Sequence, residues 1–291
     1  MKYRPVLTLW QLWVIYPIQL FPPLLFVFIW SIPHPVVYFV FAIQLLTIPL
    51  AALPHNRWQL RLLWRVRNFQ TVRAGRIVLH FDPEVRAVCS PNHVLQQCQA
   101  YLEQLGLTFG FAIRRRTAVY LFATCEEIGT IIGNAVGGYA LFGPNALFIG
   151  CDDSLNEAIP HELTHLFASR WSWNAPPLLT EGLATWLQKT WGTYEIDTCA
   201  NRALNEVDLS LPQLLKQKLF YEIRHRHCRY AVAGSFTGFL IRRYGWDQYR
   251  KLYRSCNGGK FRPKIEKRYG KTLEQLEKEW RFDLVLRTML D

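Results

Sequence analysis

The sequence predicts an α+β protein: an N-terminal two-helix membrane hairpin, then a small mixed-sheet lobe packed on an all-helical lobe. Three observations carry this reading. No Asp, Glu, Lys or Arg occurs between Arg4 and Arg57. From Arg76 to about residue 150, short strand patterns alternate with helical ones. After Cys151 the strand signal stops, and helical periodicity runs to the C-terminus.

The uncharged N-terminal stretch predicts a transmembrane hairpin over residues 1–55. Residues 6–30 are long enough to span a bilayer and 36–53 just long enough, with a turn at Ser31–Pro35. Prolines 17, 22, 23 and 49 would kink these spans. Arg57, Arg61, Arg65, Arg67, Arg73 and Arg76 follow, with no acid before Asp82. Residues 56–75 thus read as a basic juxtamembrane segment suited to anionic headgroups. The positive-inside rule then predicts a multi-pass membrane protein with two spans and the domain that follows them in the cytoplasm. The lipid bilayer is an expected partner.

The net charge of +12 is largely arginine in this belt and in runs such as Arg114–Arg116. No nucleic-acid fold signature accompanies them, so no nucleic-acid partner is expected. The seven cysteines are odd in number, scattered and free of Cys-x-x-Cys pairs. That argues against a disulfide framework and predicts reduced thiols.

An α+β lobe is expected over 76–150. Ile77–Phe81 reads as a strand, 83–105 as helix broken near Pro91, and 118–123 as a second strand. A short helix over 126–132 precedes a hairpin of 139–142 and 146–149 about Gly143-Pro144-Asn145. The helical lobe, 151–291, should contain helices near 154–170, 177–190, 211–219, 230–244, 246–255, 263–269 and 273–286.

The chemistry-bearing motif opens that lobe. Residues 161–165 read His-Glu-Leu-Thr-His, and Glu181 follows in Leu-Thr-Glu-Gly-Leu-Ala. On a helix, His161 and His165 leave one face a turn apart, as two ligands of a tetrahedral zinc require. Glu181, from the next helix, would complete three protein ligands and leave the fourth position for water. Glu162 lies beside them as a candidate general base. Pro160 either kinks this helix or marks the start of its zinc-binding part.

This order of motifs resembles the gluzincin metallopeptidases, and more narrowly the peptidase MA-like domains related to the aminopeptidase and thermolysin groups. The resemblance runs from about Arg76 to the C-terminus. It includes the helix Tyr230-Ala-Val-Ala-Gly-Ser-Phe-Thr-Gly-Phe-Leu and the closing segment ending at Trp280. It implies a zincin lobe that binds Zn2+ through His161, His165 and Glu181. Glu162 would be the general base of a membrane-anchored peptidase acting on a peptide or protein substrate. A tyrosine after the third ligand often stabilises the oxyanion in such enzymes, and Tyr230 matches that position. A plain core or surface tyrosine is the competing reading; His225 and His227 are runners-up. Two departures stand out. Thr185 replaces the acid expected four residues after Glu181, and the strand 145–149 lacks the glutamate that binds an amino terminus in aminopeptidases. The alternative function is a catalytically inactive zincin-fold scaffold or binding protein.

Overall fold

A computed structural model of the chain describes residue 62 and residues 64–132, 137–143, 145–222, 224–256 and 261–289. The chain divides into two compact units, one of residues 1–2, 68–130 and 134–291, the other of 3–67 and 131–133. The sheet and the candidate site belong to the first.

The architecture is mixed α+β, with one five-stranded sheet and mostly helices. The sheet is formed by β1 (Gln70–Ala74), β2 (Ile77–Phe81), β3 (Thr117–Phe122), β4 (Gly138–Leu141) and β5 (Ala146–Gly150), in the order β1-β2-β3-β5-β4. The three inner strands run parallel, and both edge strands are antiparallel to their neighbours. Helix α1 (Pro91–Phe109) provides the crossover that two parallel strands need between β2 and β3. Ile77, Leu79, Phe81, Val119, Leu121, Leu147 and Ile149 are fully buried in the core. The residues between them carry a cross-strand row: Thr71, His80, Tyr120, Phe148 and Tyr139 are successive register partners. His80 stacks on Tyr120 and Tyr120 on Phe148, with ring centroids 4.8 and 5.0 Å apart. Such pairs pin the strand register.

Helix α2 (Cys125–Ile132) lies between β3 and β4, and after β5 come α3 (Leu155–Ala168) and α4 (Pro177–Gln188). A two-residue ribbon, β6 (Thr190–Trp191) and β7 (Tyr194–Glu195), leads into α5 (Ile196–Glu206). The rest is helical: α6 (Leu211–Leu214), α7 (Gln217–Phe220), α8 (Arg226–Tyr244), α9 (Trp246–Ser255), α10 (Phe261–Tyr269) and α11 (Leu273–Thr288).

Helix α8 organises this part. Every residue from Ala231 to Leu240 is buried, so the helix is apolar or small on all sides, as a central helix must be. It packs on α4 and α5. Ser235 on α8 donates to Asp197 at 2.7 Å and accepts from Trp280 Nε1 at 3.0 Å. Asp197 is also paired with Arg242 at 3.0 Å. One hydroxyl thus ties α5, α8 and α11 together with its polar atoms satisfied.

Three expectations are corrected. No helix among the described residues is long and apolar enough to cross a membrane. The stretches 6–30 and 36–53 lie outside the described residues. The two-span membrane localisation with a cytoplasmic catalytic domain is therefore overturned; it rested on the length and apolarity of a run, which do not by themselves make a spanning helix. Gln70–Ala74, assigned to a basic segment, is the edge strand β1, where its polar residues face outward. Cys89 and Cys151, expected reduced, form a disulfide between residues 62 apart in sequence, which spacing alone does not reveal. Cys98, Cys125, Cys199, Cys228 and Cys256 are free thiols.

Candidate metal centre

The entry to α3 is fixed by a carboxylate. Asp152 Oδ1 accepts from the Ser154 amide at 3.0 Å and from its hydroxyl at 2.6 Å, and Oδ2 accepts from the Cys125 amide at 3.3 Å. Burial pushes the Asp152 pKa up, but the bonds from Cys125 and Ser154 outweigh it and hold the pKa below its ordinary value. From this turn α3 runs through Pro160 without ending. Pro160 has no N–H to donate back along the helix, and Thr164 Oγ1 bonds to its carbonyl at 2.8 Å.

His161 and His165 project from one face of α3, their ring centroids 4.9 Å apart. Helix α4 brings Glu181 to them: its Oε2 lies 3.3 Å from His161 Nε2 and 3.3 Å from His165 Nε2. All three side chains are nearly buried. Burial pushes the Glu181 carboxyl up, but His165 and His161 together outweigh it and hold the group well below the usual range. For zinc bonded at about 2.0–2.2 Å to each donor, a tetrahedron has edges of roughly 3.3–3.6 Å. The two His–Glu separations match those edges, so the donor set fits zinc.

Residues absent from the sequence reading orient these donors. His161 Nδ1 lies 2.8 Å from Gln188 Oε1, while Gln188 Nε2 donates to the Thr190 carbonyl at 2.8 Å. The second bond fixes which way the amide points, so Nδ1–H donates and Nε2 keeps its lone pair for a metal. Tyr221 OH donates to Glu181 Oε1 at 2.7 Å, leaving Oε2 towards the histidines. The only sequence signal for Gln188 is its place seven residues, two helical turns, after Glu181 on the same helix. Tyr221 carries none, because it arrives from a separate segment. Thr185, at the position where an acid was expected, is fully buried, and its hydroxyl makes no hydrogen bond among the described residues. The side chain that hydrogen-bonds His161 is Gln188.

Glu162 is buried beside the donors. Burial pushes its pKa up to about 7, with His161 opposing and Glu181 adding to the rise. Strand β4 passes so close that a Cβ on Gly138 would lie 2.7 Å from Glu162 Cγ. The strand beside the candidate base is thus the edge strand β4, while 146–150 is the interior strand β5. Tyr230, near the start of α8, has its ring centroid 6.0 Å from that of His161, and its ring also meets Trp191 and Phe220. His225 and His227 are engaged elsewhere, His225 with Arg224 and His227 with Glu206 and Cys228. Gly182, next to Glu181, lets α4 approach α8: a Cβ there would sit 2.6 Å from the Ala233 carbonyl oxygen.

No family model matches the chain, and no curated protein matches it. Among solved structures, native yeast LTA4 hydrolase is similar, with a TM-score of 0.44 and 14% identity over 72% of this chain and 38% of that one. The chain therefore spans well under half the length of that protein.

Proposed function

We propose that this chain is a zinc-dependent metallopeptidase that hydrolyses peptide bonds. The observation that carries the reading is the convergence of His161, His165 and Glu181 at tetrahedral-edge separations, beside the buried carboxylate of Glu162. When bound, zinc would polarise a scissile carbonyl and acidify a water. Glu162 accepts the proton of the attacking water on its carboxylate and passes it to the leaving amine. A pKa near neutrality, which its burial favours, suits both transfers. Tyr230 donates its hydroxyl to the developing oxyanion. Strand β4 pairs only with β5 among the described strands, so its outer edge can hold an extended peptide by backbone hydrogen bonds next to Glu162. Strand β4, Gly138-Tyr-Ala-Leu141, carries no acid that could hold an amino terminus, which favours cleavage within a chain over removal of an amino-terminal residue.

The test is a matched turnover assay on a broad peptide library with folded, zinc-loaded protein. Glu162→Gln should lose about 10²–10⁴-fold in rate while retaining zinc. Tyr230→Phe should lose about 10²–10³-fold. A glutamine variant as fast as the unmodified protein overturns the mechanism. Absence of cleavage by zinc-loaded, unmodified protein would favour a scaffold.

A further inference from the structure

Outside the His161 cluster, the described residues hold one other convergent donor set. Glu206 ends α5, and His227 and Cys228 lie in the first turn of α8. Cys228 Sγ is 3.3 Å from His227 Nε2 and 3.8 Å from Glu206 Oε2, and His227 Nε2 is 4.0 Å from Glu206 Oε2. We propose that Glu206, His227 and Cys228 form a second metal site, for a borderline-soft divalent cation of the zinc type.

The chemistry of the donors selects the metal. A thiolate, an imidazole and a carboxylate together suit zinc over the hard cations magnesium and calcium, which take oxygen ligands. A tetrahedral site with one sulfur at about 2.3 Å and N/O donors at about 2.0–2.1 Å has edges of roughly 3.3–3.6 Å. The two sulfur edges agree with that to about 0.3 Å, and the His227–Glu206 edge, at 4.0 Å, is longer by roughly 0.6 Å, a difference that rotation of the two exposed side chains covers. Access is open, since the Glu206 and His227 side chains are 60% and 62% exposed. Two neighbouring cations have partners of their own. Arg229 bonds the Glu222 carbonyl at 2.6 Å and its carboxylate at 3.4 Å, and Arg224 meets His225.

Without metal, Cys228 remains a thiol: burial raises its pKa and Glu206, which accepts its hydrogen bond, raises it further. Binding breaks the Sγ–H bond, forms an Sγ–metal bond and releases the proton to solvent, so affinity rises with pH. The site has a structural consequence as well. Helix α8 begins after His225, which is in the left-handed region (φ 56°) and gives no side-chain cap to the helix. Metal ligation by two residues of its first turn would fix that start to the end of α5. Tyr230 follows two residues after Cys228.

Cobalt(II) titration of the metal-free full-length protein separates the two sites. His161, His165 and Glu181 offer only nitrogen and oxygen, so sulfur-to-cobalt charge-transfer absorption in the near ultraviolet belongs to a thiolate site. The expected result is that this band appears, persists in a His161→Ala/His165→Ala variant, and vanishes in Cys228→Ser. That persistence makes the outcome independent of the peptidase reading. Cys228 is buried and its replacement could disturb folding, so the exposed His227→Ala and Glu206→Gln carry the same test. Each should weaken the affinity read from the band at least about tenfold. No band at saturating cobalt, a band that survives Cys228→Ser, or unchanged affinity in both exposed variants would overturn the proposal.

Discussion

Gln188 accepts a hydrogen bond from His161 Nδ1 at 2.8 Å while its amide nitrogen holds the Thr190 carbonyl at the same distance. The two bonds lock the amide between the end of α4 and the ribbon, and with it the imidazole. Gln188→Leu leaves the Nδ1–H without an acceptor and the ring free to turn. Zinc affinity, measured by competition with a chromophoric chelator, should fall about 10–100-fold. Gln188→Glu should restore only part of it, because its carboxylate accepts from Nδ1–H but cannot donate to the Thr190 carbonyl.

Tyr221 acts on the other ligand. Its hydroxyl fixes one oxygen of Glu181 so that the other faces the histidines. Tyr221→Phe removes a hydrogen bond to a charged group, worth about 1.5–3 kcal/mol. Zinc should bind roughly tenfold or more weakly, with the far-ultraviolet circular dichroism spectrum unchanged.

Gly182→Ala tests the approach of α4 to α8. The new methyl would meet the Ala233 carbonyl and the Thr237 hydroxyl at 2.6 and 2.5 Å, and a backbone carbonyl cannot rotate aside. Overpacking of this kind costs about 1–3 kcal/mol, so Tm should fall by several degrees. Because Glu181 is the preceding residue, zinc occupancy should fall with it. Unchanged thermal unfolding would show that the helices can separate freely.

Asp152 predicts the acid side of the stability profile. Its folded pKa is depressed, so the stabilisation is present above the unfolded pKa of about 3.9 and is lost as pH falls through the folded value. Asp152→Asn should therefore flatten the loss of stability below about pH 4, as read from urea midpoints across pH. An unaltered slope would mean that other carboxylates dominate.

How much of this was legible in the sequence follows the range of the interactions. Ile77–Phe81, Trp246–Ser255 and the turn at Asn145 were readable because apolar period and turn chemistry are local signals. His161, His165 and Glu181 were readable as a set because they occupy one helix pair, and the structure brings them together. Strand β1 was not: Gln-Thr-Val-Arg-Ala gains its conformation from pairing with β2 rather than from its own pattern. Helix α5 was missed because the residues it buries fully are only Ile196, Ala200 and Ala203, two of them too small to give a strong apolar period. Gln188 and Tyr221 were invisible as partners, since neither residue type announces a hydrogen bond made across the fold. The membrane reading erred in the other direction, by giving an apolar run more meaning than composition can hold.

The outer edge of β4 also bears on self-association. Backbone groups that can pair with a substrate can pair as readily with a strand from a second copy of the chain, the usual origin of edge-to-edge aggregation. Here the hazard is limited by brevity, because Gly138–Leu141 is only four residues long and begins with a glycine that a neighbouring carboxylate crowds. The same brevity limits how much peptide backbone the edge can register at once.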